Sequence, residues 1–353
     1  MFVFRRGGRV AASTIRPVIT TAERRYATKI EIPFVPPPFP VVESCPSPTC
    51  SCREPPAGLD IEREQNISGS MATYAEQILI STGRNDWTSK IEDEEEAVLV
   101  RQLKKHLTRG GKYVDPYHNV MITNSSFPPT AKRSHVDCSN AAQFGSPSNP
   151  KTGDSAETTA SAFLLPSFRY IPSISTNDND IEFFIRAFML PEKLHKSYSN
   201  LSQDQRDSLL RQPDYQKQFA SRPVNEIVVL VCGHGGRDER CGKLGPILIE
   251  EFEEKLQAQN IAILKAPEEM EHNKMTARVG SISHIGGHKW AGNVIIYIPP
   301  SFKGNALAGK GIWYGRVGPE HVEGIVEETV MEGKVIKEFF RGGIDKSGEI
   351  LRL

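Results

Sequence analysis

The chain has 353 residues, 38% of them hydrophobic and 24% charged, a balance that suits a globular protein of two ordinary domains with loose ends. No stretch reaches the roughly 18 apolar residues of a membrane helix, so no membrane span is expected. Six cysteines are too few at this length for a disulfide scaffold.

The 43 basic and 43 acidic residues cancel overall but not locally. Residues 1–26 carry Arg5, Arg6, Arg9, Arg16, Arg24 and Arg25 against Glu23 alone, among Ala, Ser and Thr. An arginine-rich, acid-poor, amphipathic leader of this kind predicts a mitochondrial transit peptide, and Arg24-Arg25-Tyr26-Ala27 resembles a matrix-protease cleavage site. Its removal takes six positive charges and one negative from a neutral chain and leaves net −5. No basic stripe then remains, so nucleic acid is not an expected partner. Mitochondrial location, in the matrix or the inter-membrane space, makes the cysteines candidates for metal binding or redox chemistry.

Residues 27–67 form a Pro- and Cys-rich stretch with neither hydrophobic period, which predicts a disordered arm. Cys45, Cys50 and Cys52 lie there as possible redox thiols, although nothing nearby supplies a base or a helix N-terminus. A first folded unit is expected over 68–194: a strand at 77–82, a helix with an acidic start at 93–96, and strands at 120–123 and 162–165. An apolar helix at 181–190 completes it. Residues 124–160 read as a long polar loop. A polar linker over 195–222 leads to a second unit over 223–341. Its β-branched run Ile227–Val231 predicts a strand buried on both faces. A helix follows from Leu244, then strands at 261–264, 294–298 and 312–317, and a helix opening at Gly318-Pro319-Glu320. Residues 342–353 remain as a tail. This order predicts an α/β protein of two thioredoxin-like domains, duplicated and diverged, each a small sheet with helices on both faces.

The chemistry concentrates in the second unit. Cys232 ends the strand Ile227–Val231, and Cys241 follows a loop containing three glycines. Arg237, Arg240 and Lys243 surround Cys241, and a helix beginning near Lys243 adds its positive end, which favours thiolate. About forty residues later, Ser-His284-Ile-Gly-Gly-His288 offers two imidazoles on a turn able to face them toward one point. Two cysteines and two histidines satisfy tetrahedral zinc as well as iron. The eight residues between the cysteines are too many for a zinc knuckle but suit a loop around a larger cluster. Cys232-Gly-His234 imitates half of a Rieske motif, but no histidine follows Cys241 at the matching place. His234 is expected to stand beside the centre, donating a hydrogen bond or facing solvent, and not to ligate.

These residues, with Trp313-Tyr314-Gly315-Arg316-Val317-Gly318-Pro319-Glu320, resemble the sucrase/ferredoxin-like family of thioredoxin-like ferredoxins over roughly 68–341. The resemblance implies a [2Fe–2S] cluster in the C-terminal domain, a thioredoxin-like ferredoxin. His284 and His288 stand where bacterial-type members carry a cysteine pair, which implies bis-histidine ligation of one iron. The N-terminal domain is by the same resemblance a cluster-free copy. Replacing two thiolates by neutral imidazoles raises the reduction potential and is expected to make it depend on pH. The function expected is electron transfer or thiol redox quality control with redox protein partners in mitochondria, as an electron carrier or redox sensor more than a stand-alone enzyme. A zinc-stabilised thioredoxin-fold interaction protein is the alternative.

Overall fold

The computed structural model describes residues 36–49, 51–130, 159–267 and 274–353. The leader over 1–26, Cys50 and Cys138 therefore lie outside the described residues.

The fold is organised by strands that the sequence fills with β-branched and aliphatic residues. In chain order the elements are β1 (Val41–Val42), β2 (Glu76–Ser81), α1 (Val98–Leu107), β3 (Val120–Ser125), β4 (Thr159–Leu165), β5 (Arg169–Ser175) and α2 (Asp178–Phe184). Next come the short α3 (Gln203–Ser208), β6 (Arg222–Pro223), β7 (Ile227–Cys232), α4 (Glu239–Ala258), β8 (Ala262–Ile263) and β9 (Thr276–Ile282). The chain closes with β10 (Val294–Ile298), β11 (Lys310–Tyr314), α5 (Pro319–Ile325), β12 (Val335–Ile336), β13 (Phe340–Asp345) and β14 (Ile350–Leu351).

All six residues of β7 are buried, as its uninterrupted apolar run requires of a central strand. It pairs parallel with β9 and antiparallel with β10, which pairs antiparallel with β11. The first half repeats this plan: β2 pairs parallel with β3 and antiparallel with β4, which pairs antiparallel with β5. In both halves the helix after the hairpin ends in a π-helical turn, Ile185–Met189 and Val326–Met331. The duplication is thus visible in pairing, in connection order and in a local helical irregularity. The halves meet where β3 and β9 run antiparallel, at Ser125 and Ile282, so the strands form one continuous sheet. The architecture is α/β with two thioredoxin-like copies joined edge to edge.

The faces of the sheet differ from the expectation of helices on both sides. Alternate residues of β7 divide between two cores, as the two-residue period of a strand demands. Ile227, Val229 and Val231 pack with Leu244, Leu248 and Phe252 of α4 and with Val322 of α5. Val228, Leu230 and Cys232 instead join Leu79, Phe163 and Leu165 of the first half. A third core, with Val100 and Leu103 of α1 and Ile181 and Phe184 of α2, covers the outer face of the first half. The helices therefore lie outside, and the helix-free faces of the two halves bury each other. Polar atoms in this shared core are paired: Tyr74 and Tyr297 hydroxyls meet at 2.6 Å, and Tyr297 donates to Gln77 Oε1 at 2.7 Å.

Several sequence expectations are corrected. The stretch 27–67 was expected to be disordered, but its described residues form a strap along the second half. β1 pairs parallel with β12, Thr49 donates to Glu323, and Arg53 pairs with Glu250, Glu251 and Glu254. The strap also packs Phe39, Val41, Val42, Leu59 and Ile61 on the core, at spacings that follow neither the helical nor the strand period, with hydrogen bonds and ion pairs between them. The second parallel strand is β9, with Ile261–Leu264 contributing only the two residues of β8 at its side. Arg278 concealed β9: its guanidinium is buried and pairs with Glu226 at 2.8 Å, which breaks the apolar pattern. The linker over 195–222 packs on the first half, where Tyr215 stacks on Phe183 at 4.1 Å and Phe219 meets Phe184 at 5.7 Å. The tail over 342–353 completes β13 and adds β14 to the sheet.

Candidate metal centre

The β7 strand delivers Cys232 to the inner core, where the side chain is buried. The helix that follows begins at Glu239, with the Asp238 carboxylate accepting from Arg240 N at its N-terminus. Cys241 therefore lies inside the first turn of α4, not before the helix, and it is fully buried. The loop between the cysteines is shaped by packing against protein. A Cβ on Gly236 would stand 2.1 Å from the carbonyl oxygen of Trp87, and one on Gly242 would stand 2.6 Å from Gly235 Cα. Glycine is required at both places for close approach. Gly236 N donates to both Asp86 carboxylate oxygens at 3.0 Å, so the loop of the first half that corresponds in the repeat clasps the cysteine loop of the second.

His234 is committed to that clasp. Its Nδ1 accepts from His284 N at 2.9 Å, so the proton sits on Nε2, which donates to the carbonyl oxygens of Thr88 at 2.9 Å and Trp87 at 3.1 Å. The ring is buried and edge-on to Trp87. Both nitrogens are occupied, so His234 neither ligates nor faces solvent. It ties the cysteine loop, the histidine loop and the first half together.

The second pair comes from the connection between β9 and β10. Gly286 and Gly287 have φ of 85° and 78°, a left-handed turn that other residues adopt at a cost. The turn brings the His284 and His288 rings to 5.4 Å between centroids. His288 is exposed and His284 half-buried, yet His284 Nδ1 is buried with no hydrogen-bond partner. Buried polar atoms are seldom left so.

The electrostatics sort the two thiols. Hydrogen bonding from the Cys241 thiol, followed by the His284 side chain, holds the Cys232 thiol well below its ordinary range despite burial. Contact with Cys232, together with burial, pushes Cys241 up. Their mutual contact lowers one thiol and raises the other, while the Arg240 charge still acts to favour thiolate at Cys241. The basic neighbours also pair with other groups. Arg240 pairs with Asp238 at 2.9 Å and Lys243 with Glu239 at 3.0 Å, while Arg237 donates to Ser89 Oγ at 3.1 Å.

Residues that sequence spacing did not single out complete the surroundings. The Glu62 carboxylate on the strap accepts from Trp290 Nε1 at 2.8 Å and Arg316 at 2.7 Å. The Arg341 guanidinium, 1% exposed, reaches the carbonyl oxygen of Gly286 at 3.2 Å and Asn293 Oδ1 at 2.6 Å. Cys45 on the strap lies against α5, away from the candidate centre. Cys45 donates to the carbonyl oxygen of His321, and burial with four surrounding glutamates pushes it up to about 12, which makes it a poor nucleophile at neutral pH. Cys52 is half-buried.

Cys232, Cys241, His284 and His288 are thus brought into one region as two pairs, thiol against thiol and imidazole against imidazole. Among the described residues no three His, Cys, Asp or Glu side chains are grouped to hold a single metal ion. The donor set fits a [2Fe–2S] cluster in kind: two buried sulfurs, a buried imidazole nitrogen lacking a partner, and a second imidazole beside it.

A profile of sucrase/ferredoxin-like proteins matches residues 67–342. Proteins named altered inheritance of mitochondria protein 32 are similar along most of the chain. That of Debaryomyces hansenii is 30% identical over 314 residues, covering 86% of this chain and 96% of its own. That of Meyerozyma guilliermondii is 28% identical over 329 residues, covering 86% and 95%. That of Clavispora lusitaniae is 38% identical over 162 residues, covering 45% and 50%. No solved structure matches. The relatives' shared name places the chain in mitochondria with them, and among the described residues no helix is long and apolar enough to cross a membrane.

Proposed function

We propose that this chain, which belongs to the sucrase/ferredoxin-like family, is a mitochondrial [2Fe–2S] protein that accepts and passes on single electrons. Cys232 and Cys241 would hold one iron, His284 and His288 the other. The observation that carries the proposal is the buried His284 Nδ1, without a hydrogen-bond partner, beside a thiol pair of which one member is already driven toward thiolate. When bound, such a cluster supplies one-electron chemistry that neither cysteine nor histidine has alone. The chain's own residues prepare the place for it. His234 fixes the His284 backbone, the strap carboxylate Glu62 anchors Trp290, and Asp86 holds the cysteine loop. Electron transfer is preferred to thiol exchange along the strap because Cys45 is pushed up to about 12 and is partly buried.

Anaerobic purification tests this. The protein should be brown, hold roughly two irons and two sulfides per chain, and show visible bands that dithionite bleaches. A colourless protein that binds one zinc tightly would overturn the proposal and leave the zinc-stabilised interaction protein.

A further inference from the structure

We infer that Arg341 is the positioning residue of this centre: its guanidinium fixes the histidine loop and supplies the fixed positive charge that offsets the electron the centre gains on reduction. The inference deepens the cluster reading above and rests on it.

Arg341, on β13, converges on three separate segments. Nη1 donates to the carbonyl oxygen of Gly286 at 3.2 Å and to Asn293 Oδ1 at 2.6 Å, while Nε and Nη2 donate to Ser70 Oγ at 3.1 Å and Ser70 O at 2.9 Å. Asn293 passes the restraint on, since its Nδ2 donates to the carbonyl oxygen of Gly287 at 2.9 Å. The guanidinium lies over the Trp290 ring at 5.2 Å and the Trp313 ring at 5.6 Å. Two motif glycines make room for it. A Cβ on Gly287 would stand 2.8 Å from Nη2, and one on Gly315 would stand 2.9 Å from Cδ.

Each hydrogen-bond acceptor around Arg341 is neutral, and among the described residues no carboxylate pairs with it. The comparison with Arg278 is instructive, because that equally buried guanidinium pairs with Glu226 at 2.8 Å. A buried cation without a counter-ion is costly, so its retention points to a negative charge that the protein atoms alone do not supply in full. With two thiolates and two neutral imidazoles as ligands, an oxidised [2Fe–2S] centre is neutral in sum. One electron from a reductant such as dithionite leaves it negative, next to a charge that cannot move away. The aromatic faces and carbonyl dipoles hold the cation in place until then.

The test is a dithionite titration of the cluster-loaded protein with Arg341→Gln and Arg341→Lys, paired with urea unfolding of the cluster-free forms. Arg341→Gln should lower the midpoint potential by at least a tenfold loss in the reduction equilibrium, about 59 mV for one electron. Arg341→Lys keeps the charge and should lower it less. In the cluster-free protein Arg341→Gln and Arg341→Lys should both lower the urea midpoint, since Gly286 O, Asn293 Oδ1 and Ser70 O lose a shared donor, so only the potential separates charge from packing. Where Arg341→Gln fails to fold, Asn293→Asp places a carboxylate on the guanidinium and should lower the potential in the same direction. An unchanged potential in Arg341→Gln or Asn293→Asp overturns the inference. So does an equal fall in the Lys and Gln variants, which would leave hydrogen bonding and packing as the cause. A parent protein without a dithionite-bleached chromophore overturns the cluster reading itself, and this inference with it.

Discussion

Cys232 and His288 are proposed ligands of different irons, and their substitutions have separable outcomes. Cys232→Ser removes a proposed ligand, whose thiol is held below its ordinary range by contact with Cys241 and His284, and should abolish the visible bands. His288→Cys should keep a cluster, since a thiolate replaces an exposed imidazole, but at a lower potential because a negative ligand replaces a neutral one. Visible spectra and redox titration of the two variants check both outcomes. A residue far from the centre gives a pH prediction. Burial pushes the Glu76 carboxyl up to about 7, against the opposing hydrogen bond from Ser167 and the fields of Arg211 and Arg169. The folded state therefore holds a proton that the unfolded chain releases near pH 4.5, and stability falls as pH rises from about 4.5 to 7. Glu76→Gln should stabilise the protein above pH 7 by on the order of 2–3 kcal/mol, with the gain vanishing toward pH 4. Urea unfolding of parent and variant at both ends of that range measures it.

The loops and strands carry the next level of control. The loop between Cys232 and Cys241 is held from outside by Asp86 and His234 and from beneath by α4. Gly236→Ala puts a methyl group 2.1 Å from the Trp87 carbonyl oxygen, so the loop must move away from the first half. Faster cluster loss at moderate temperature, followed by absorbance, is the expected result, with the helical content of the fold retained. On β7, Leu230→Ala empties a fully buried site in the shared core and should cost about 2–5 kcal/mol in unfolding free energy. The same elements show what a reader of the sequence can and cannot find. β7, β10 and α4 were legible because their burial follows a simple period. β9 was hidden by Arg278, whose charge pairs with Glu226, about fifty residues earlier in the chain. The four ligand candidates were legible as pairs at short spacing. Arg341 was not, because its partners Ser70, Gly286 and Asn293 gather only in three dimensions, and no local pattern distinguishes it from a surface arginine.

The whole molecule is one structure made from two related halves that depend on each other. Each half covers one core with its own helices and turns its helix-free face toward the other, so the shared core needs both. Residues 223–353 expressed alone would expose Val228, Leu230, Ile295 and Trp313, an apolar surface of the kind that drives association. They should be insoluble or aggregated, and co-expression with residues 36–222 should restore a soluble complex; size-exclusion chromatography distinguishes the outcomes. The loop after β2 has no cysteine or histidine over residues 82–90, and its Asp86 grips the loop between Cys232 and Cys241.

The strap sets an order on maturation. Val41 pairs with Val335, so the earliest described strand finds its partner only among the last elements of the chain. Such a distant contact is slow to form. Glu62, at the far end of the same strap, and Ser70 just beyond it secure Trp290, Arg316 and Arg341. Closure of the strap over the histidine loop is therefore expected among the late events of folding. For the proposed cluster this predicts loading before closure, and slow release once the strap is seated.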